Sequence, residues 1–143
     1  MAGAGSAGKS FAGGRDMNIF VICPVRNADP EVTAAIAEPV AELEAEGHIV
    51  HWPARDTDQK DPIGNRICAV NCQAIEEADR VIIWWDPDSQ GSLFDIGMAW
   101  ALRKPLSLMN HVDFEPGKKS FAAMLNWWAD GYAQAPLFAE VTA

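Results

Sequence analysis

Four short apolar runs, NIFVIC (residues 18–23), HIVHW (48–52), RVIIWW (80–85) and LSLM (106–109), are separated by segments whose apolar residues recur at helical spacing. Continuous rather than alternating apolarity marks strands that are covered on both faces. Strands alternating with helices in this way form a parallel sheet with right-handed crossovers and a helical layer on each face. The expected fold is therefore α/β, a single doubly wound domain of the Rossmann or flavodoxin-like type. It should have four to five parallel strands and occupy residues 17–143.

The helical segments can be read individually. Residues 29–46 place Val32, Ile36, Val40 and Leu43 on one stripe and stop at Gly47. Pro39 lies within that stripe and is expected to kink or divide the helix. Residues 55–61 read as a charged loop, and 62–78 as a helix with Pro62 in its first turn. Ile63, Ile67, Val70 and Ala74 are its expected inward face. Residues 92–102 and 120–128 supply two more helices, the last through Phe121, Met124, Leu125 and Trp128. The apolar stretch 121–138, with Trp127, Trp128 and Tyr132, is equally compatible with packing on the sheet and with a subunit contact.

Residues 1–16 are rich in Gly, Ala and Ser and read as a flexible tail or a cloning remnant, with Met17 a candidate start. Gly3 to Ser10 spells G-x-x-x-x-G-K-S, the phosphate-loop pattern. That motif works only where a strand feeds it and a helix follows, and neither flanks it here. The linker reading is preferred.

A formal net charge of −9 excludes nucleic acid polymers as partners, since binding them requires a basic face. A small anion held by one or two local donors remains compatible. Cys23, Cys68 and Cys72 fit neither a zinc spacing nor a disulfide framework, and Cys68 and Cys72, one helical turn apart, read as small buried apolar residues of a reducing compartment. No run is long enough for a membrane span and no signal peptide is visible, so a cytoplasmic protein is expected. Neither a metal nor an organic cofactor is called for.

In an open parallel sheet the ligand crevice lies beyond the carboxyl ends of the strands. Those ends deliver Pro24, Arg26 and Asn27; Trp52 to Arg55; Asp86, Asp88, Ser89, Gln90 and Gly91; and Asn110 and His111. Such a helix start also favours anions. Most of these residues have an equally simple structural reading. Arg26 could be a solvated loop arginine, Ser89 and Gly91 could shape a turn and cap a helix, and Asp86 and Asp88 could be loop residues. His48 and His51 read as edge or partly buried strand residues, and His111 as a loop residue. Asp95 is different. It stands among Leu93, Phe94, Ile96, Gly97 and Met98, where an acid is costly to bury unless it is used.

The segment Gly91-Ser92-Leu93-Phe94-Asp95-Ile96-Gly97-Met98-Ala99, with Lys104-Pro105 before the fourth strand, resembles the G-[ST]-x-x-[DE]-[IL]-G-x-A motif of nucleoside 2-deoxyribosyltransferases and their nucleotide N-hydrolase relatives. Pro24-x-Arg26 after the first strand, Trp52-Pro53 after the second and Ile75-x-x-Ala78-Asp79 before the third extend the similarity over residues 17–109. The resemblance implies cleavage or transfer at the N-glycosidic bond of a (deoxy)nucleoside or nucleoside 5′-monophosphate. A carboxylate attacks the anomeric carbon, and a second base or water resolves the glycosyl-enzyme. It further implies Asp95 and Asn71 as catalytic residues, and Arg26, Pro24, Asp86, Ser89, Gly91 and Ser92 as substrate-binding residues. The partner would be a small nucleoside or nucleotide, and the assembly a homo-oligomer, dimer or higher.

Two positions depart from the pattern. Aspartate stands where the family carries glutamate, which withdraws the carboxylate by about 1.5 Å. Asn71 stands where the family carries an acid on the second helix. Misplacement of a reacting group by ~1 Å can lower a rate about a hundredfold. A nucleotide- or nucleoside-binding sensor that keeps the pocket without turnover is therefore the alternative function.

Overall fold

The computed structural model describes residues 15–129. The tail and its phosphate-loop-like octapeptide lie outside the described residues, as do Tyr132 and Phe138; of the tail, only Arg15 and Asp16 are described. The elements are β1 (Asn18–Ile22), α1 (Pro30–Ala45), β2 (Ile49–His51), the single turn α2 (Pro53–Asp56), α3 (Asn65–Glu77), β3 (Arg80–Ile83), α4 (Gln90–Ala101), β4 (Leu106–Leu108) and α5 (Phe121–Ala129). The four strands are all parallel, in the order β2-β1-β3-β4. This is the expected α/β architecture, with four of the expected four to five strands among the described residues.

Both faces of the sheet are covered, which is why β1 reads as a continuous apolar run. On one face Phe20, Ile22, Val81, Ile83 and Leu106 pack with Ile75, Ala99, Leu125 and Trp128 from α3, α4 and α5. On the other, Ile19, Val21, Val50 and Ile82 pack with Ile36, Val40 and Leu43 of α1. The chain leaves β1 toward β2 on one side and returns to β3 on the other. That reversal opens a crevice at the carboxyl ends of β1 and β3.

The helix α1 follows its sequence signals closely. Asp29 caps it by accepting from the Glu31 N–H at 2.8 Å, Pro30 opens it, and Gly47 takes a φ of 104° just beyond its end. Pro39 does not divide it, contrary to expectation. The carbonyl that Pro39 leaves without an N–H donor belongs to exposed Ala35, where water can serve it.

A second correction concerns α3. It starts at Asn65 rather than Pro62, after Gly64 in the left-handed region. Asp61 supplies the cap, its Oδ2 accepting from the N–H groups of Arg66 (2.8 Å) and Ile67 (3.0 Å). Of the expected inward face, Ile63 is 84% and Val70 39% exposed. The buried positions are Asn71 and Ile75. The short α2 also replaces part of what reads as a charged loop, because Pro53 is preset for a first helical turn.

Candidate active site

Asp95 lies in α4, is 8% exposed, and faces α3. Its Oδ2 accepts from Asn71 Nδ2 at 3.4 Å. Burial pushes its pKa up to about 7, and the Asn71 hydrogen bond pulls the other way. Near neutrality the group is thus divided between acid and carboxylate, a condition suited to proton or nucleophile chemistry. Asn71 is itself buried and is held from behind, its Oδ1 accepting from Thr57 Oγ1 at 2.9 Å. His51 Nε2 lies 2.7 Å from the same hydroxyl, and the imidazole stacks on Phe20 with ring centroids 5.4 Å apart. A hydrogen-bonded line therefore runs from β2 across α3 to α4.

The start of α4 is built by two serines. Ser89 caps the helix, its Oγ accepting from the Ser92 N–H at 3.2 Å and donating to Ser92 Oγ at 2.8 Å. Ser92 is completely buried, so its hydroxyl is committed to this pair. Gly91 is exposed, and a Cβ built on it would meet nothing within 4 Å. Asp86 shapes the preceding turn, its Oδ1 accepting from the Asp88 N–H at 2.9 Å. Asn110, after β4, ties this loop down by bonding both backbone groups of Trp85, at 2.8 and 3.0 Å.

Beyond β1, Pro24 is half-buried, Arg26 is exposed and Asn27 turns the chain with a φ of 58°. Arg26 has no hydrogen-bond or ion-pair partner among the described residues, so its guanidinium is available to an anion. The neighbouring strands β1 and β3 deliver Arg26 and the segment Ser89–Gly91 to the same edge of the sheet. Cys23 sits at the same strand end. Burial pushes its thiol up to about 11, with Trp52 opposing and Asp95 adding to the rise, so the thiol stays protonated. Cys68 and Cys72 are half-buried on α3 rather than fully buried, and both are free thiols. The Trp52 Nε1–H is buried next to Cys23 but has no hydrogen bond of good geometry.

The structure thus brings Asp95 and Asn71 into direct contact and sets Ser89, Gly91 and Ser92 at the helix start above them. Among the described residues His111 bonds only Asp113, on the surface, at 2.7 Å. His51 and Thr57 were not expected from sequence as members of the site. Their one available signal is Pro53, which opens α2 and so folds position 57 back toward position 51. On a neighbouring flank of α4, Leu93, Ile96 and Trp100 line an apolar groove of about 260 Å³ with Phe121 and Met124 of α5. It has no titratable group and is separate from the acid. Leu125 and Trp128 of the C-terminal stretch pack in the core, and Trp128 Nε1 donates to the Lys104 carbonyl at 2.9 Å. Among the described residues no helix is long and apolar enough to cross a membrane.

Residues 23–126 match the family model described as nucleoside 2-deoxyribosyltransferase. No curated protein matches the chain. The matched span contains the whole line from His51 to Asp95 and the start of α4.

Proposed function

The chain belongs to the nucleoside 2-deoxyribosyltransferase family, and on that premise we propose that it cleaves the N-glycosidic bond of a nucleoside 5′-monophosphate or nucleoside. The observation that carries this reading is a buried carboxylate, Asp95, whose one side-chain hydrogen-bond partner among the described residues is an uncharged amide bonded to Oδ2. In the first step an Asp95 oxygen bonds the anomeric carbon as the C–N bond breaks. The electron pair stays on the departing base nitrogen, which takes up a proton from water, with Asp86 the candidate to assist. In the second step water attacks the same carbon, gives up a proton and releases the sugar, restoring the carboxylate. Transfer replaces that water with a second base.

Arg26 and the Gln90 and Gly91 N–H groups beside Ser89 would hold the 5′-phosphate, since a guanidinium and a helix start both favour an anion. Pro24 shapes the loop that presents Arg26. Ser92 anchors Ser89 rather than reaching the ligand. Asn71 would orient the ribose as well as Asp95. We also read the active form as a homo-oligomer, supported by the exposed Phe94, Phe121 and Met124 beside the apolar groove; light scattering tests this.

The test of function is incubation with a panel of nucleosides and 5′-monophosphates, with free base followed by chromatography. The expected result is base release that Asp95→Asn abolishes while binding persists. Release unchanged by Asp95→Asn would overturn the assignment. The second reading, a sensor without turnover, is favoured by the shorter acid at Asp95 and by the uncharged Asn71 beside it. It predicts a ligand that raises the melting temperature and is recovered intact.

A further inference from the structure

We infer that His51 is a positioning residue for Asp95, acting through Thr57 and Asn71 along a hydrogen-bond chain whose direction is fixed; this rests on the reading of Asp95 as the attacking carboxylate. The direction follows from counting hydrogens. A threonine hydroxyl has one hydrogen to donate. Thr57 gives it to Asn71 Oδ1 at 2.9 Å. At its 2.7 Å contact with His51 Nε2 the same oxygen can then only accept, so Nε2 must carry the hydrogen. Because Asn71 Oδ1 is the acceptor, its amide nitrogen is the group turned to Asp95 Oδ2. The order is His51 Nε2–H to Thr57 Oγ1–H to Asn71 Oδ1, then Asn71 Nδ2–H to Asp95.

Such a chain cannot relay a proton, because an amide neither takes nor yields one at these pH values. It can orient and polarise. Each donor strengthens the next, and the last stabilises the charged form of Asp95 while leaving Oδ1 free. Its members are well fixed. Thr57 and Asn71 are each 5% exposed, and Phe20 stacks on the imidazole at an interplanar angle of 11°. Burial lowers the His51 pKa most, Asp56 raises it and Arg55 lowers it, so the net direction is down. The ring is accordingly neutral near pH 7, and one tautomer must be chosen. At the other end, Asn71 hydrogen-bonds Asp95, and Cys23 and Cys68 are the titratable groups that feel its charge, their thiols held protonated mainly by burial.

Two measurements on the full chain decide the matter without using activity. Long-range ¹⁵N correlation spectra of the imidazoles are expected to show His51 as the Nε2–H tautomer in the wild type. Carboxyl ¹³C titration is expected to place the Asp95 midpoint about half a pH unit or more higher in Thr57→Val and His51→Leu than in the wild type. Thr57→Ser and His51→Gln, which keep the donors, should restore it. If base release is found, Thr57→Val should lower kcat about tenfold with KM little changed and move the acid limb to higher pH. A wild-type Nδ1–H tautomer, or an Asp95 midpoint indifferent to Thr57→Val and His51→Leu, overturns the inference even if Asp95→Asn abolishes turnover. The wild-type tautomer remains decisive if a variant fails to fold. Absence of base release from every substrate would count against the enzymatic reading and leave the two spectroscopic results standing.

Discussion

Asn71 Nδ2 donates to Asp95 Oδ2 over 3.4 Å, and this is the one side-chain hydrogen bond that Asp95 receives among the described residues. A single hydrogen bond to a charged group is worth about 1.5–3 kcal/mol. Removing a carboxylate from water costs several kcal/mol. Burial therefore wins, and the Asp95 pKa stands at about 7 instead of 3.8.

That imbalance has a signature in stability. A folded pKa above the unfolded one contributes stability that is fully present below the unfolded value and is lost as pH rises through the folded one. For Asp95 the window runs from 3.8 to about 7. Asp95→Asn should match the wild type at pH 3.5 and exceed it at pH 8 by up to about 4 kcal/mol. Urea unfolding at the two pH values measures this, and the difference between proteins isolates Asp95 from other titrating groups. Equal stabilities at pH 8 would show that Asp95 is not held against its charge.

The same pKa sets the expected rate profile. In the proposed mechanism the attacking form is the carboxylate, so base release should rise with pH through about 7. Asn71→Leu removes the one interaction that lowers the pKa and should push the rise to higher pH. Asn71→Asp sets a second carboxyl against Asp95, and two adjacent carboxylates share a proton, so one midpoint should climb further. Activity on a responsive substrate, read from pH 5 to 9, checks all three. A profile that falls as pH rises through 7 would mean that protonated Asp95 is the working form.

Gly91 offers a separation of stability from binding. No atom of the chain lies where its Cβ would be, although it occupies an early helical position. Alanine is favoured over glycine in a helix by up to about 1 kcal/mol, so Gly91→Ala should leave the melting temperature equal or higher. If backbone N–H groups there approach a phosphate, the same methyl should weaken 5′-monophosphate binding at least about tenfold. Calorimetric titration with a 5′-monophosphate and its nucleoside decides it. Equal loss for both ligands would place the contact on the sugar instead.

Ser89 joins two roles that a double variant can separate. Alanine at this position removes the helix cap, worth about 1 kcal/mol. It also leaves the fully buried Ser92 Oγ without its donor, at a cost of about 1–3 kcal/mol. Ser89→Ala should therefore lose more than a cap alone accounts for. Adding Ser92→Ala should recover the excess, as measured by chemical denaturation. A double variant no better than the single one would assign the whole loss to capping.

The parts of the fold governed by apolar patterning were legible in the sequence. Strands β1 and β3, the Gly47 stop and the Ile36, Val40 and Leu43 stripe all follow from residue type and spacing. Asp95 was legible because its apolar neighbours made it anomalous. What patterning could not give was the rotation of α3. Its buried face carries Asn71 because a polar side chain is satisfied there by Thr57 and Asp95, and those partners come from sequence-distant elements. Ile63 and Val70 look like core and are not, since Gly64 in the left-handed region starts the helix later than Pro62 suggests. His51 and Thr57 were missed for a similar reason. Their contact depends on how α2 folds the chain back, which spacing alone does not specify.

That rotation of α3 is itself testable. If Ile63 is 84% exposed and Val70 39%, polar replacement at either should be nearly silent. Surface substitutions typically change stability by within about 0.5 kcal/mol. Ile75, fully buried against both β1 and β3 residues of the core, should behave differently. Its truncation to alanine should cost about 2–5 kcal/mol. Asn71→Leu places an apolar group in the interior but removes the acceptor of the Thr57 hydroxyl hydrogen and the hydrogen-bond donor to buried Asp95, so it should destabilise despite its greater hydrophobicity. Thr57→Val in the same chain leaves His51 Nε2 without its partner and should not recover the loss. Urea denaturation of Ile63→Ser, Ile75→Ala, Asn71→Leu and the Asn71→Leu/Thr57→Val pair gives the comparison. A large loss at Ile63 with little at Ile75 would place Ile63 in the core and remove Ile75 from it, as a helix starting at Pro62 would.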